Sequence, residues 1–252
     1  MTFTDDFFLQ AQSVLEGVVR PYRDTILQSQ GAVAADVKQD KSLVTALDVA
    51  LEQSIIDALK QLDAGIGIVG EESGQQGNKN TFWLIDPIDG TENFVRGLPA
   101  VFNMATLIDN GQPVFALVYR PLSDESLVAV KGNGVTRNGE LLHTVRRPLA
   151  RSMLELTASK ISDPDVAKLI AAVEPLVYRL RRFDDFTYVV DGRVDMYIVY
   201  KSGGNIWDYA PQALLMAESG LRVANFGSNS YDYTVKNMLA AHPDHFDEVM
   251  QT

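Results

Sequence analysis

The sequence predicts a protein of the α+β class, and three stretches of the chain carry this prediction. Residues 3–30 and 45–62 show the apolar period of amphipathic helices. Residues 101–131 contain three successive apolar segments separated by turn residues, which is typical of sheet strands. From about residue 153 to 218, strand and helix patterns alternate. We therefore expect two subdomains, residues 1–150 and residues 151–252.

Composition excludes several classes of protein. The chain has 252 residues, with 33 Asp and Glu against 22 Lys and Arg, a formal net charge of −11. A nucleic-acid scaffold needs a basic surface, so we expect no such role. The absence of cysteine excludes disulfides, thiolate metal sites and cysteine nucleophiles. Without a membrane-length apolar segment or a basic leader, the sequence predicts a cytoplasmic protein with no membrane partner.

The first third of the chain contains two predicted helices and a polar segment. The first helix has Thr4 or Asp5 as its cap, and Pro21 predicts a kink or a division into two shorter helices. The polar stretch 36–42 predicts an exposed, mobile loop. A second helix begins near Thr45 and ends at about Leu62, with Asp48 one turn into it.

Two predicted strands of the first subdomain end in acidic residues. The strand 66–69 is followed by Gly70-Glu71-Glu72-Ser73, and the strand 82–85 is followed by Asp86-Pro87-Ile88-Asp89-Gly90-Thr91. Later in the chain, Asp208 lies at the start of a predicted helix, behind a glycine-rich loop. Since strand ends are where α/β proteins place their chemistry, we expect these carboxylates to share one pocket.

Converging carboxylates repel one another, by about 4 kcal/mol for two charges ~4 Å apart at an effective dielectric of ~20. A hard divalent cation with oxygen ligands offsets this repulsion, and Mg²⁺ suits carboxylates, water and a substrate phosphate. Gly90 lets the backbone approach a ligand, and its N–H and that of Thr91 can bind an anion. A metal beside an anion site is the arrangement expected for metal-assisted phosphoester hydrolysis.

Simpler interpretations exist for each motif taken alone. Glu71-Glu72-Ser73-Gly74 is compatible with a solvated turn, Asp208 with a helix cap, and Asp48 with a charge on a helix surface. The combination favours a site, because two consecutive apolar strands both end in carboxylates.

These motifs resemble the signature of the inositol monophosphatase family, which comprises Mg²⁺-dependent, lithium-sensitive phosphatases. The resemblance lies in the segments Thr45-Ala46-Leu47-Asp48, Gly70-Glu71-Glu72-Ser73, Trp83 to Phe94, and Trp207-Asp208-Tyr209-Ala210. It extends from about residue 36 to residue 220. It implies a layered αβαβα sandwich and a homodimer, with two or three Mg²⁺ ions in each site.

The resemblance also implies roles for individual residues. The residues that would hold metal are Glu71, Asp86, the Ile88 carbonyl, Asp89 and Asp208. Thr91, paired with Asp48, would orient and help deprotonate the attacking water, and Glu71, also a catalytic residue, would reach a third, weaker ion through water. The backbone at Gly90 and Thr91 would bind the phosphate.

The predicted substrate is a small phosphorylated metabolite similar to inositol 1-phosphate. Lys201 stands where many members of the family carry a glutamate, and a cation there favours fructose 1,6-bisphosphate or a 3′-phosphonucleotide. Asp185, in a segment similar to the histidinol-phosphatase branch, is a second candidate substrate residue. Alternatively, Lys201 is an exposed loop residue and Asp185 a surface helix residue.

Two rival functions remain open. Haloacid-dehalogenase-type phosphatases also place Asp-Gly-Thr after an apolar strand, but their two aspartates are separated by one residue, whereas two residues separate Asp86 from Asp89. The other rival is a metal-binding regulatory protein of the same fold that has lost turnover. The intact set of carboxylates argues against that loss.

Overall fold

The computed structural model describes residues 3–38, 43–145 and 147–251. The chain forms two compact units, one comprising Met1–Lys131 and Thr136–Glu140 and the other comprising Gly132–Val135 and Leu141–Thr252. The subdomains expected from the sequence, divided at residue 150, stay a prediction. Within the described ranges, no helix combines the length and the apolarity needed to cross a membrane.

The first unit contains three helices: α1 (Asp5–Ser29), α2 (Ala46–Leu62) and α3 (Thr91–Arg96). Helix α1 begins after Thr4, whose Oγ1 accepts a hydrogen bond from the N–H of Phe7. It runs through Pro21 as one helix, so the predicted division into two shorter helices is wrong. Pro21 and Gly17 are both exposed, so water can reach the Gly17 carbonyl, which Pro21 cannot bond.

The described residues before the second sheet form ten strands: β1 (Asp36–Val37), β2 (Leu43–Val44), β3 (Gly67–Gly70), β4 (Gly74–Gln76), β5 (Thr81–Asp89), β6 (Phe102–Asp109), β7 (Gln112–Arg120), β8 (Glu125–Val130), β9 (Gly134–Arg137) and β10 (Glu140–Leu141). Strands β1 and β2 pair with each other, so residues 36–37 are not loop as predicted. Residues 39–42 of that predicted loop lie outside the described residues. The other eight form one sheet in the order β10-β9-β8-β7-β6-β5-β3-β4.

Helices α1 and α2 bury their apolar faces in one core with this sheet. The helices contribute Leu15, Val19, Ile55 and Leu59 among others, and the strands contribute residues that include Trp83, Ile85, Leu107 and Phe115. Burial of this kind stabilises by about 25 cal/mol for each Å² of apolar surface removed from water. The core holds the end of α2 that carries Asp48 close to the sheet.

A bulge interrupts β5 at the residues of greatest interest. Strand β5 pairs with β6 so that Asp86 is opposite Met104 and Asp89 is opposite Phe102, which leaves two residues of β5 facing one of β6. Successive side chains of a regular strand alternate between faces, so residues three apart project from opposite sides. The extra residue restores both aspartates to one face.

The second unit has a five-stranded sheet in the order β12-β11-β13-β15-β14. Its strands are β11 (Met153–Thr157), β12 (Arg179–Arg181), β13 (Met196–Val199), β14 (Arg222–Ala224) and β15 (Met238–Ala241), and its helices are α4 (Pro164–Val173), α5 (Thr187–Val190), α6 (Ile206–Glu218) and α7 (Pro243–Met250). The predicted helix 184–191 and the predicted strand 176–182 are both shorter than expected.

One face of this sheet packs against α4 and α7. Leu154, Leu156 and Ile198 from the strands meet Val166 and Phe246 from the helices in one apolar core. Because side chains alternate along a strand, Glu155 projects from the opposite face, where it is nevertheless buried.

Candidate active site

Asp86 and Asp89 converge at the carboxyl end of β5. One oxygen of the Asp86 carboxylate and one of the Asp89 carboxylate lie within 4.8 Å of each other. Asp86 is only 2% exposed. The bulge produces this arrangement, and its backbone is supported by Asn103, whose Nδ2 donates a hydrogen bond of 2.5 Å to the Pro87 carbonyl. Two acidic groups this close, one of them buried, are a donor set that suits a hard divalent cation.

Glu71 follows β3 at the strand end next to the one that carries Asp86. Strand β3 runs parallel to β5 with Gly70 opposite Ile85, and the Glu71 N–H donates to the Ile85 carbonyl at 3.1 Å. Neighbouring strands are about 4.8 Å apart, so Glu71 and Asp86 leave adjacent strand ends side by side. The structure therefore brings together the carboxylates of Asp86 and Asp89 in the first unit and places the backbone of Glu71 at the neighbouring strand end.

Lys38 binds the acidic turn after β3, a contact that no motif in the sequence predicts. Its Nζ donates to Glu71 Oε1 at 2.8 Å and to Glu72 Oε1 at 2.6 Å. Burial lowers the pKa of the Lys38 ammonium, but the hydrogen bonds to Glu71 and Glu72 outweigh it, and the net pKa is raised. Burial raises the pKa of the Glu72 carboxyl, and Lys38 opposes that shift. Lys38 thus neutralises part of the negative charge of Glu71 and Glu72.

Asp48 and Thr91 lie together, as predicted. The Thr91 hydroxyl donates to the Ile88 carbonyl at 3.0 Å and approaches Asp48 Oδ1 at 3.4 Å. The other oxygen of Asp48, Oδ2, accepts from the N–H of Thr45 at 2.9 Å and from its hydroxyl at 2.5 Å, which forms a capping box. Asp48 is 1% exposed, so it is not a charge on the helix surface.

Burial is the main influence on the acidity of Asp48. It raises the pKa of the carboxyl, while the hydrogen bonds from Thr45 lower it by a smaller amount. A carboxylate whose pKa is raised accepts a proton more readily. Asp48 is therefore suited to take a proton from the Thr91 hydroxyl.

Gly90 occupies a backbone conformation that other residues rarely adopt. Its φ is +82°, and a Cβ at this position would lie 2.5 Å from the Ala100 carbonyl oxygen. Gly90 precedes α3, whose first N–H groups have no carbonyl partner within the helix. The glycine thus permits a sharp turn between the Asp89 carboxylate and the Thr91 hydroxyl.

In the second unit, Asp208 is the third residue of α6. Its Oδ2 accepts a hydrogen bond from the Asn205 N–H at 2.6 Å, again within a capping box. The helix-capping interpretation is therefore correct for this oxygen, and it is compatible with metal binding through the rest of the carboxylate. The first turn of α6 holds the Asp208 side chain in a defined orientation.

The two predicted substrate residues, Lys201 and Asp185, have intramolecular partners in the second unit. Lys201 Nζ donates to Asp163 Oδ1 at 3.0 Å and to Asp165 Oδ2 at 2.6 Å. Asp185 is 4% exposed and accepts a hydrogen bond of 2.5 Å from the Thr187 hydroxyl, so it is not a surface helix residue. Substrate contacts by either residue stay a prediction.

Comparison with known proteins extends the resemblance. The sequence model of the inositol monophosphatase family matches residues 5–252. A protein of Xylella fastidiosa named Nus factor SuhB is 34% identical over 188 residues, which cover 71% of this chain and 68% of that protein. A fructose-1,6-bisphosphatase/inositol-1-monophosphatase of Thermotoga maritima is 29% identical over 84% of this chain and 82% of its own length.

A solved structure gives the same result. The IMPase of Thermotoga maritima superimposes with a TM-score of 0.82 at 27% identity, covering 95% of this chain and 94% of that one. This similarity confirms the predicted α+β fold of the inositol monophosphatase type. The family match over nearly the whole chain supports phosphatase chemistry and a small phosphorylated substrate. The chain belongs to the inositol monophosphatase family.

Proposed function

We propose that this protein is a Mg²⁺-dependent phosphomonoesterase that hydrolyses a small phosphorylated metabolite by direct attack of water. The observation that carries the proposal is the convergence of the Asp86 and Asp89 carboxylates, in the unit that also holds the Thr91–Asp48 pair. Metal ligands and a proton acceptor are the two requirements of such a reaction.

The proposed ligands are Glu71, Asp86, the Ile88 carbonyl, Asp89 and Asp208, for two or three Mg²⁺ ions. Bound Mg²⁺ neutralises charge on the phosphoryl group and makes a bound water more acidic. The acidic donors fit Mg²⁺ because all are hard oxygen ligands. Asp208 comes from the other unit, and its place in this set is supported by its carboxylate chemistry and by the family match.

The proton pathway that we propose uses Thr91 and Asp48. Water donates a hydrogen bond to Thr91 Oγ1, and the Thr91 hydroxyl proton turns from the Ile88 carbonyl toward Asp48 Oδ1. As the water oxygen bonds to phosphorus, the bond between phosphorus and the ester oxygen breaks. The water proton passes to Thr91, the threonine proton passes to Asp48, and the departing alkoxide takes a proton from solvent. The raised pKa of Asp48 favours this transfer. The N–H groups of Gly90 and Thr91 bind the phosphoryl oxygens.

A substrate panel scored by kcat/KM in the presence of Mg²⁺ tests the proposal. We expect inositol 1-phosphate to be the best substrate, with histidinol phosphate, fructose 1,6-bisphosphate and a 3′-phosphonucleotide as the alternatives. The two ion pairs of Lys201 with Asp163 and Asp165 occupy its ammonium and so do not favour a doubly anionic substrate. Lithium should inhibit by competing for an ion site.

The rival functions give different results in the same experiment. No phosphate release above a metal-free blank would contradict phosphatase activity and favour a metal-binding regulatory protein. Trapping by beryllium fluoride on an aspartate would favour the haloacid-dehalogenase mechanism. A homodimer and a cytoplasmic location complete the proposal, and sedimentation analysis of the purified protein tests the former.

A further inference from the structure

Glu52 is a buried carboxylate for which the proposed chemistry has no direct use. It lies on α2 four residues after Asp48, so the two side chains project from the same side of the helix, one turn apart. Glu52 is only 2% exposed. Burying a carboxylate is costly unless its oxygens receive hydrogen bonds. Its partners therefore indicate which part of the molecule it supports.

Both oxygens of Glu52 accept hydrogen bonds from the turn that follows β3. Oε2 accepts from the N–H of Glu72 at 2.9 Å, and Oε1 accepts from the N–H of Ser73 at 2.7 Å. Hydrogen bonds to a carboxylate are about twice as strong as those between neutral groups. The bond from the Glu72 N–H fixes the peptide group that joins Glu71 to Glu72. The bond from the Ser73 N–H fixes the peptide group that joins Glu72 to Ser73.

The backbone before Glu71 packs against the same carboxylate. A Cβ at Gly70 would lie 2.6 Å from both Cδ and Oε1 of Glu52, and 2.6 Å from the Ser73 hydroxyl oxygen. Only glycine allows β3 to approach Glu52 this closely. The chain on both sides of Glu71 is therefore held by one side chain from α2.

We propose that Glu52 is a positioning residue that orients Glu71 and thereby sets the affinity of the site for metal. The inference rests on the proposed function, in which Glu71 is a metal ligand. Lys38 constrains the carboxylate end of Glu71, whereas Glu52 constrains its backbone. Without Glu52, the turn can rotate and change the position of the Glu71 carboxylate.

Helix α2 then supports both the proton transfer and the metal binding that we propose for the site. Asp48 serves the Thr91 hydroxyl, and Glu52, about 6 Å further along the helix axis, serves the turn that carries Glu71. A rigid helix thus sets the position of the proton acceptor relative to that of a metal ligand. Residues that orient metal ligands typically change metal affinity or activity by 10- to 100-fold when they are replaced.

The test measures binding of Mn²⁺, as the probe ion, by the electron paramagnetic resonance signal of the free ion, and separately the Mg²⁺ dependence of phosphate release. Glu52→Gln keeps the length of the side chain but places an amide N–H against a backbone N–H, and Glu52→Asp keeps the charge but shortens the reach. Asp57→Asn, on the exposed side of α2, is the control that removes one charge. Glu71→Gln reports whether Glu71 is a ligand at all.

We expect both Glu52 variants to bind Mn²⁺ about 10- to 100-fold more weakly, with kcat restored to within about twofold at saturating Mg²⁺. Asp57→Asn should resemble wild type. Wild-type Mn²⁺ affinity in a folded Glu52→Asp protein overturns the positioning role, because the length of the side chain would then not matter. Wild-type Mn²⁺ affinity in a folded Glu52→Gln protein overturns it equally, because the two hydrogen bonds to the carboxylate would then not matter. If neither variant folds, Gly70→Ala displaces the carboxylate instead, and unchanged affinity there overturns the inference equally.

Failure of the proposed function gives a different pattern. Glu71→Gln with unchanged Mn²⁺ binding contradicts the metal assignment itself, whatever the Glu52 variants show. Weak binding by Glu71→Gln together with normal binding by either Glu52 variant contradicts only the positioning role.

Discussion

Replacing Gly90 with alanine should both destabilise the protein and abolish its activity. A left-handed backbone costs a residue with a Cβ about 1–2 kcal/mol, and Gly90 has a φ of +82°. The new Cβ would also lie 2.5 Å from the Ala100 carbonyl oxygen, which is a backbone atom that cannot rotate away. Overpacking of this kind costs about 1–3 kcal/mol. The sum is a loss of about 2–5 kcal/mol.

Gly111 provides a matched control for the same substitution. Its φ is +76°, but nothing lies within 4 Å of a Cβ built there. Gly111→Ala therefore carries the conformational cost without the clash, and the gain from a less flexible unfolded chain is the same for both variants. The difference in unfolding free energy between the two variants isolates the clash, at about 1–3 kcal/mol.

Thermal unfolding followed by circular dichroism measures this difference, and phosphate release measures its consequence. We expect Gly111→Ala to keep wild-type activity. Gly90→Ala should lose activity even at temperatures where it is fully folded, because the turn between Asp89 and Thr91 must shift. Equal stability of the two variants would refute the reasoning about the clash, and an active Gly90→Ala protein would refute the role of the turn.

Three further predictions concern charge. Asp89→Asn should reduce kcat by at least about 100-fold while leaving the metal-free protein no less stable, since repulsion with Asp86 is relieved; unchanged turnover would exclude Asp89 as a ligand. Lys38→Met leaves Glu71 and Glu72 without their ammonium, so added Mg²⁺ should raise the melting temperature more than in wild type, and an equal rise would contradict this. Burial raises the pKa of Glu155 from 4.5 to about 7. The free-energy cost of keeping the ionised Glu155 carboxylate buried therefore develops as pH rises from about 4.5 to about 7. Glu155→Gln should therefore be more stable than wild type above pH 7, by on the order of 3 kcal/mol, and equally stable below pH 4.5; a difference that does not vary across pH 4–8 in urea unfolding would count against the shift.

Local patterns predicted the elements that have strong periodicity or alternation. Helix α2 and strands β6 to β8 lie close to where the sequence places them, because their apolar residues face one core. Strands β14 and β15 and helix α7 were not predicted. The segments of β14 and β15 have only three and four residues, too few for alternation to distinguish them from loop.

The residues of the candidate site likewise comprise some that local motifs predict and some that they do not. The acidic residues after β3 and β5 were identified because their motifs are contiguous in the sequence. Lys38 and Glu52 were missed, because their partners are 33 and 20 residues away and no local pattern encodes the pairing. Lys201 was assigned from its place relative to Asp208, but position along the chain does not reveal that Asp163 and Asp165 bind its ammonium.

The bulge in β5 explains why the two aspartates can be three residues apart and still share one face of the strand. On an uninterrupted strand, acidic residues two positions apart point the same way, whereas an interval of three demands an additional backbone irregularity. The interval from Asp86 to Asp89 therefore encodes main-chain shape as well as composition. Deleting Ile88 would retain every carboxylate and yet leave an interval of two that no longer matches the present irregular pairing. The spacing of the two aspartates and the bulge therefore have to change together if both side chains are to stay on one face.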